Sequence, residues 1–226
     1  MSISVKKINK HFYFFLKGKI LRSENGNRVK VINKKIAITL STYLSRCYSG
    51  VNKEKKFFLQ MLSFTYELNK KNKIIFIDKM ISFLSTDLVC YRAEKGSEIS
   101  EIQKKIWDPL LEFTRKKYNL ILNTSYSVMP IEQNPKNNGQ LIKFLKKLDN
   151  KNFTFYYYMT NFCNSNIIAL NFLANNIKSK YVWESISVDE IYSLKKWGSD
   201  KEIIDNLMEK KNYFKEIIKF KLIFNI

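Results

Sequence analysis

The chain has 226 residues, enough for one large domain or two small ones and for a substantial buried core. Apolar residues make up 45 %, which excludes an intrinsically disordered chain, and no apolar run approaches the length of a membrane span. Lys plus Arg number 40 against 20 Asp plus Glu, a formal charge of +20 that invites a nucleic-acid partner. Only five of the cations are Arg, however, the better fork for phosphates and base edges, and Asn is abundant at 23 copies. The charge therefore reads as part of a broad Lys/Asn/Ile/Phe/Tyr bias, and no stable nucleic-acid complex is expected.

In chain order, residues 12–32 read as short antiparallel strands. Phe12–Leu16 and Ile20–Arg22 flank Lys17-Gly18-Lys19, Asn25-Gly26 signals a hairpin turn, and Arg28–Val31 alternates with period two. Helices are expected over 36–48, 54–69, with a stripe of Phe58, Met61, Leu62 and Phe64, and 74–84. Thr86–Arg92 is ambiguous between strand and helix. Ile99, Ile102, Ile106, Leu110 and Phe113 recur as a helix face, but Pro109 would break an interior hydrogen bond. The expectation is two helical pieces meeting at Trp107-Asp108, with Asp108 as cap and Pro109 in the first turn.

Two short extended pieces are expected at Leu120–Leu122 and Tyr126–Val128, then a turn-rich boundary over 130–139. Everything beyond reads as helical: 141–148, a long central helix over 153–173, another over 182–197, and a last one over 200–224 with Ile204, Leu207, Met208, Phe214, Ile217 and Ile218 on one side. The predicted class is α+β, a small antiparallel β-rich N-terminal part followed by a mainly helical C-terminal part. The expected organisation is 1–50 (β-rich with a short helix), 51–134 (helices with short extended segments) and 135–226 (helical).

Little points to catalysis. His11 is the only histidine and has no Ser or Cys placed to pair with it, and no glycine-rich phosphate loop is present. Cys47, Cys90 and Cys163 are odd in number and far apart, which argues against a disulfide framework and for a reducing compartment; without a CxxC pair they make no zinc site. No catalytic residue, metal or cofactor is expected. The carboxylates Glu184, Asp189 and Glu190 read as solvated helix charges, or in an enzyme alternative as an acid/base cluster. The polar run Asn161, Asn164, Ser165 and Asn166 reads as an internal network or a partner-facing patch. Trp107, Trp183 and Trp197 read as core.

Several segments resemble one family. Thr86-Asp87-Leu88-Val89-Cys90-Tyr91-Arg92-Ala93-Glu94 is similar to the TDLLCYRAE segment of the ATP12 chaperones, assembly factors of F1-ATPase. Trp107-Asp108-Pro109-Leu110-Leu111 matches their WDPLL element, and Val128–Gln133 resembles VMPVEQ. Further on, 164–170 resembles GSLVLALA, Asp189-Glu190 with Lys196-Trp197-Gly198 resembles the carboxylate-rich EE…WG region, and Leu16–Lys19 with Asn25-Gly26 resembles LDGR…TPAG. Arg46-Cys47 and Gln60–Ser63 depart from the family's Glu-Trp and MPLT elements, and Asn164 stands in place of its glycine.

The resemblance implies an ATP12-like fold and an assembly chaperone that binds the free alpha subunit of F1-ATPase until it meets the beta subunit. It implies a monomer with no membrane insertion, cytoplasmic in a bacterium of the alphaproteobacterial type, or in the mitochondrial matrix for organellar relatives. By motif position Glu190 matches the family's important glutamate. Asp189, Glu184, Trp197, Trp107, Asp108 and Ser165 join it as partner-binding or interface-organising candidates.

Overall fold

A computed structural model describes residues 2–50 and 53–226, with the side chains of Lys53 and Glu54 not described. The chain forms two compact units, residues 1–69 with 212–226, and residues 70–211.

The first unit is built on a four-stranded antiparallel sheet with β2 (His11–Leu16) at its centre. β1 (Ile3–Ile8) pairs with it along its whole length, from Ile3 opposite Leu16 to Ile8 opposite His11. The opposite edge of β2 carries the short β3 (Lys19–Ile20) and β4 (Lys30–Val31). Lys17 and Gly18, both with positive φ, make the tight turn into β3, a conformation glycine accepts without strain. β1 escaped the sequence reading, although Ile3 and Val5 alternate with polar neighbours as a half-buried strand requires. The Asn25-Gly26 turn closes a bridge between Arg22 and Arg28 as expected, and α2 (Lys53–Glu67) holds it: Ser63 Oγ accepts from Glu24 N–H at 3.0 Å and Glu67 from Asn25 N–H at 3.0 Å. Fully buried Phe14 meets the apolar face of α1 (Lys34–Ser49), which is capped by Asn33. Phe58 stacks edge-on with Tyr43 and against Phe220 of the last helix.

The second unit is helical: α3 (Lys70–Ser82), a 3-10 turn over Leu88–Cys90, α4 (Glu98–Tyr118), α5 (Lys136–Lys147), α6 (Asn150–Cys163), α7 (Asn166–Leu173), α8 (Ser179–Ile186) and α9 (Val188–Trp197). α10 (Lys201–Phe224) starts in this unit, and its residues from 212 onward belong to the first. Residues 166–172 of α7 are all buried, which makes it the central helix.

Several expectations are corrected. α4 runs unbroken through Pro109, and its cap is Ser97 rather than Asp108. The proline removes one internal hydrogen bond, and next to it Tyr181 Oη donates to the Ile106 carbonyl at 2.8 Å. The buried face of α4 is also rotated from the isoleucine stripe: Ser100, Gln103, Trp107, Leu110 and Thr114 are buried, while Ile99, Ile102, Ile106 and Phe113 flank them half-buried. The polar members can be buried because each finds a partner. The expected helix over 153–173 is two helices, broken at Asn164 in the left-handed conformation, and that over 182–197 breaks at Ser187. Neither extended piece in 119–129 is a strand; only an isolated bridge joins Ser125 to Tyr91. On α10, Ile204 and Met208 are exposed, and burial begins at Phe214.

The α6–α7 break is set by Asp87, fully buried before the 3-10 turn. Its carboxylate accepts from Ser165 Oγ at 2.6 Å, Asn166 N–H at 2.7 Å, Ile167 N–H at 3.2 Å and Val89 N–H at 3.3 Å. Two of these are orphan donors of the α7 N-terminus, where negative charge is favoured. Asp87→Ala leaves three N–H groups and a hydroxyl without an acceptor, and urea unfolding should show a loss of at least about 3 kcal/mol. Burial pushes the Asp87 carboxyl up from 3.8 to about 6, against the pull of its four donors. The folded state thus holds the proton more tightly than the unfolded one. Its contribution is full below about pH 4 and is lost as pH rises through about 6, a component the Ala variant should lack.

Candidate functional site

Three of the recognised segments, residues 86–94, 107–111 and 189–197, meet at one corner of the second unit. Trp107, fully buried on α4, donates its indole N–H to the Ser185 carbonyl at 2.9 Å, fixing α4 against the end of α8. The Arg92 guanidinium lies over the Trp107 ring at 5.0 Å, donates to the Val89 carbonyl at 3.0 Å and pairs with Asp108 at 2.7 Å. Asp108 is thus an anchor for a buried arginine, because a continuous helix leaves it no free N–H groups to cap. Gln103 bridges the same elements: its carbonyl accepts from Ala93 N–H and its amide donates to Asp189, both at 2.8 Å. Arg92 and Gln103 were missed as organising residues; Arg92 stands inside the TDLVCYRAE segment, where a buried cation could have been suspected.

Beside this network lies a cavity of about 260 Å³, lined among others by Leu88, Trp107, Cys163, Ile186, Glu190 and Lys210. Lys210 Nζ donates to the Ile186 carbonyl at 3.0 Å and approaches Glu190 at 3.4 Å. The lysine therefore ties α10 to the last turn of α8, and Glu190 balances its charge at the start of α9. Burial pushes the Cys163 thiol well above its usual range, so it is a small apolar residue rather than a nucleophile.

α9 is held from outside as well. Glu98 in the first turn of α4 accepts from Tyr192 Oη at 3.0 Å and pairs with Lys196 at 3.2 Å. Trp197, at the end of α9, is 75 % exposed and meets Tyr192 edge-on, so it is not the core residue the sequence suggested. It lies seven residues from Glu190, two helical turns along one face.

The structure brings together Trp107, Asp189 and Glu190, with Asp108 and Trp197 at the margins. Glu184 is elsewhere, half-exposed and 3.9 Å from Lys180, so the three-carboxylate cluster of the enzyme alternative is not assembled. Ser165 is buried as the cap of α7, donating to Asp87, which makes it part of the framework. Among the described residues no group of three or more His, Cys, Asp or Glu could hold a metal ion, and no helix is long and apolar enough to cross a membrane. The three cysteines are free and buried.

Trp107→Phe takes the indole donor from the Ser185 carbonyl at a buried helix break. A loss of about 1–3 kcal/mol is expected, read from denaturant midpoints.

Two comparisons bear on this arrangement. The chain has the fold of Atp12 from Paracoccus denitrificans, with a TM-score of 0.83 at 17 % identity over 98 % of this chain and 96 % of that one. It also has the fold of the Atu1473 protein from Agrobacterium tumefaciens, with a TM-score of 0.85 at 20 % identity over 97 % of this chain and 82 % of that one. The sequence profile described as ATP12 chaperone protein matches residues 1–115, just over half of the sequence and including the Asp87–Arg92 and Trp107–Asp108 elements. The chain belongs to the ATP12 chaperone family.

Proposed function

We propose that this chain grips its client through the outer face of α9 and the mouth of the Glu190–Lys210 cavity. The role that defines its family is to hold the free alpha subunit of F1-ATPase until the beta subunit arrives, and that is the task of this protein. The family match over residues 1–115 carries this conclusion.

The choice of face rests on physical grounds. An exposed tryptophan is the side chain most enriched at binding hot spots, and Trp197 is pre-oriented by Tyr192. Glu190 is part-exposed and offers a carboxylate that Lys210 holds in place, so a client cation can find it already positioned. Asp189, Trp107 and Asp108 support that face from behind, through Gln103, Ser185 and Arg92. The free, buried cysteines suit a reducing compartment, and we place the protein in the bacterial cytoplasm, acting as a monomer.

Recovery of alpha subunit free of beta subunit on the tagged protein, with nuclease added and at moderate and high salt, tests the task. Recovery of nuclease-sensitive material alone would instead make the +20 charge the functional feature. Glu190→Gln should leave the melting temperature within about 2 °C and weaken alpha-subunit binding; loss of the fold would overturn the placement of Glu190 at the interface. Trp197→Ala should weaken binding roughly tenfold or more with the fold intact. Unchanged affinity in both variants would move the client to another face.

A further inference from the structure

The first unit carries a separate groove that the Glu190 face does not use. It is an open space of about 720 Å³ between α1, the start of α2 and the C-terminal part of α10. Tyr43, Ile218 and Leu222 form an apolar floor, with Leu222 69 % exposed. Arg46, Lys55, Lys215 and Lys219 stand around it, against the carboxylate of Glu216, the one acidic group lining it among the described residues.

That carboxylate is engaged, since Tyr43 Oη donates to it. Arg46 and Lys219 have no ion-pair partner to match among the described residues. Arg46 is exposed and has no side-chain partner among the described residues. Lys215 donates to the Asn212 side chain at 3.0 Å, and Lys219 lies over the Tyr43 ring at 5.7 Å, contacts that leave both charges in place. Lys55 donates to the Gly50 carbonyl at 2.6 Å.

We infer that this groove docks a short acidic peptide segment carrying an apolar side chain: its carboxylates meet Arg46 and Lys219, and its apolar group covers Leu222 and Ile218. Charge complementarity selects the sign, and the exposed leucine selects a partner that is apolar as well as acidic. The volume lies within the range of about 300–1,000 Å³ usual for binding clefts. A nucleic-acid strand fits less well. It would bring phosphates against Glu216, and the one aromatic ring lining the groove among the described residues, Tyr43, lies under Lys219 and is not free for base stacking. The inference does not depend on which face grips the alpha subunit.

The test uses the full chain and a fluorescein-labelled peptide, Asp-Leu-Phe-Glu-Asp, read by fluorescence anisotropy beside an all-Asp peptide and an oligo-dT strand of matched charge. Arg46→Glu with Lys219→Glu should weaken the Leu-Phe peptide roughly tenfold or more. The same reversal on the sheet, Lys6→Glu with Lys30→Glu, should change it by less than about twofold. Leu222→Ser, at an exposed position, should weaken the Leu-Phe peptide about three- to tenfold and leave the all-Asp peptide unchanged. The neutral pair Arg46→Gln with Lys219→Gln should give an intermediate loss, and it replaces the reversal if that variant melts early. Equal effects of the groove and sheet reversals, indifference to Leu222→Ser, or tighter binding of oligo-dT would each overturn the assignment. Alpha-subunit capture by the groove variants separates the two faces: capture that survives loss of peptide binding leaves the α9 face as the client grip, and loss of capture alone bears on that face and not on the groove.

Discussion

The Asp87 carboxylate is the constraint on which the second unit depends. It sits in full burial and satisfies the first backbone donors of α7, the helix at the centre of that unit. An acceptor at that point lets a new helix start where α6 has just ended, with Asn164 reversing the chain in the left-handed conformation. Asn166 extends the same junction: Tyr156 donates to its side-chain carbonyl, and its amide donates to the Met80 carbonyl at 2.9 Å. Further along the same helix Asn171 donates to the Leu110 carbonyl of α4 at 3.1 Å. A core this polar holds because most of its donors and acceptors meet; Arg92 Nη1 and Thr160 Oγ1 are the two buried side-chain atoms among the described residues without a partner.

The same logic runs outward to the α9 face proposed to meet a client. Asp87 precedes the turn that leads to Arg92; Arg92 lies on Trp107 and holds Asp108; Trp107 fixes the end of α8, and from there α9 begins. A chaperone must release its client, so its contact side chains need pre-orientation more than area. Polar links from α4 to α9, part-buried from Gln103 to Asp189 and exposed from Glu98 to Tyr192, supply that orientation without spending exposed apolar surface.

An excess of cations is managed without matching anions. The ion pairs are mostly short-range and exposed, such as Lys104 with Glu101 and Arg115 with Glu112, and add little. Many lysines lie over aromatic rings instead: Lys73 over Phe153, Lys117 over Tyr118, Lys211 over Trp183 and Lys219 over Tyr43. The abundant Phe and Tyr give the lysine stems apolar cover and the ammonium groups a favourable π face, so the compositional bias in both residue types is physically coherent. The charge stays available at the surface, and around Arg46 it gathers over an apolar floor.

The sequence by itself determined the elements whose signals are local. The Asn25-Gly26 hairpin, α1, α2 and the extent of α10 follow from turn chemistry and apolar spacing that neighbouring residues decide among themselves. It also carried the family, through segments such as Asp87–Arg92 and Trp107–Asp108. What the tertiary structure decided were the places where a distant partner changes the local balance. Pro109 sits inside one continuous helix, and Asp108 pairs with the distant Arg92 where the sequence offered it as a cap. The apolar run from Phe153 to Leu173 splits because Asp87, far away in sequence, supplies the acceptors for a new helix start. Gln103 is buried in preference to Ile99 and Ile102, a choice invisible to hydrophobic periodicity because it rests on Ala93 and Asp189, hydrogen-bond partners that only folding brings near. Trp197 is exposed for the complementary reason: Tyr192 braces it at the edge of α9, and nothing within the second unit covers it.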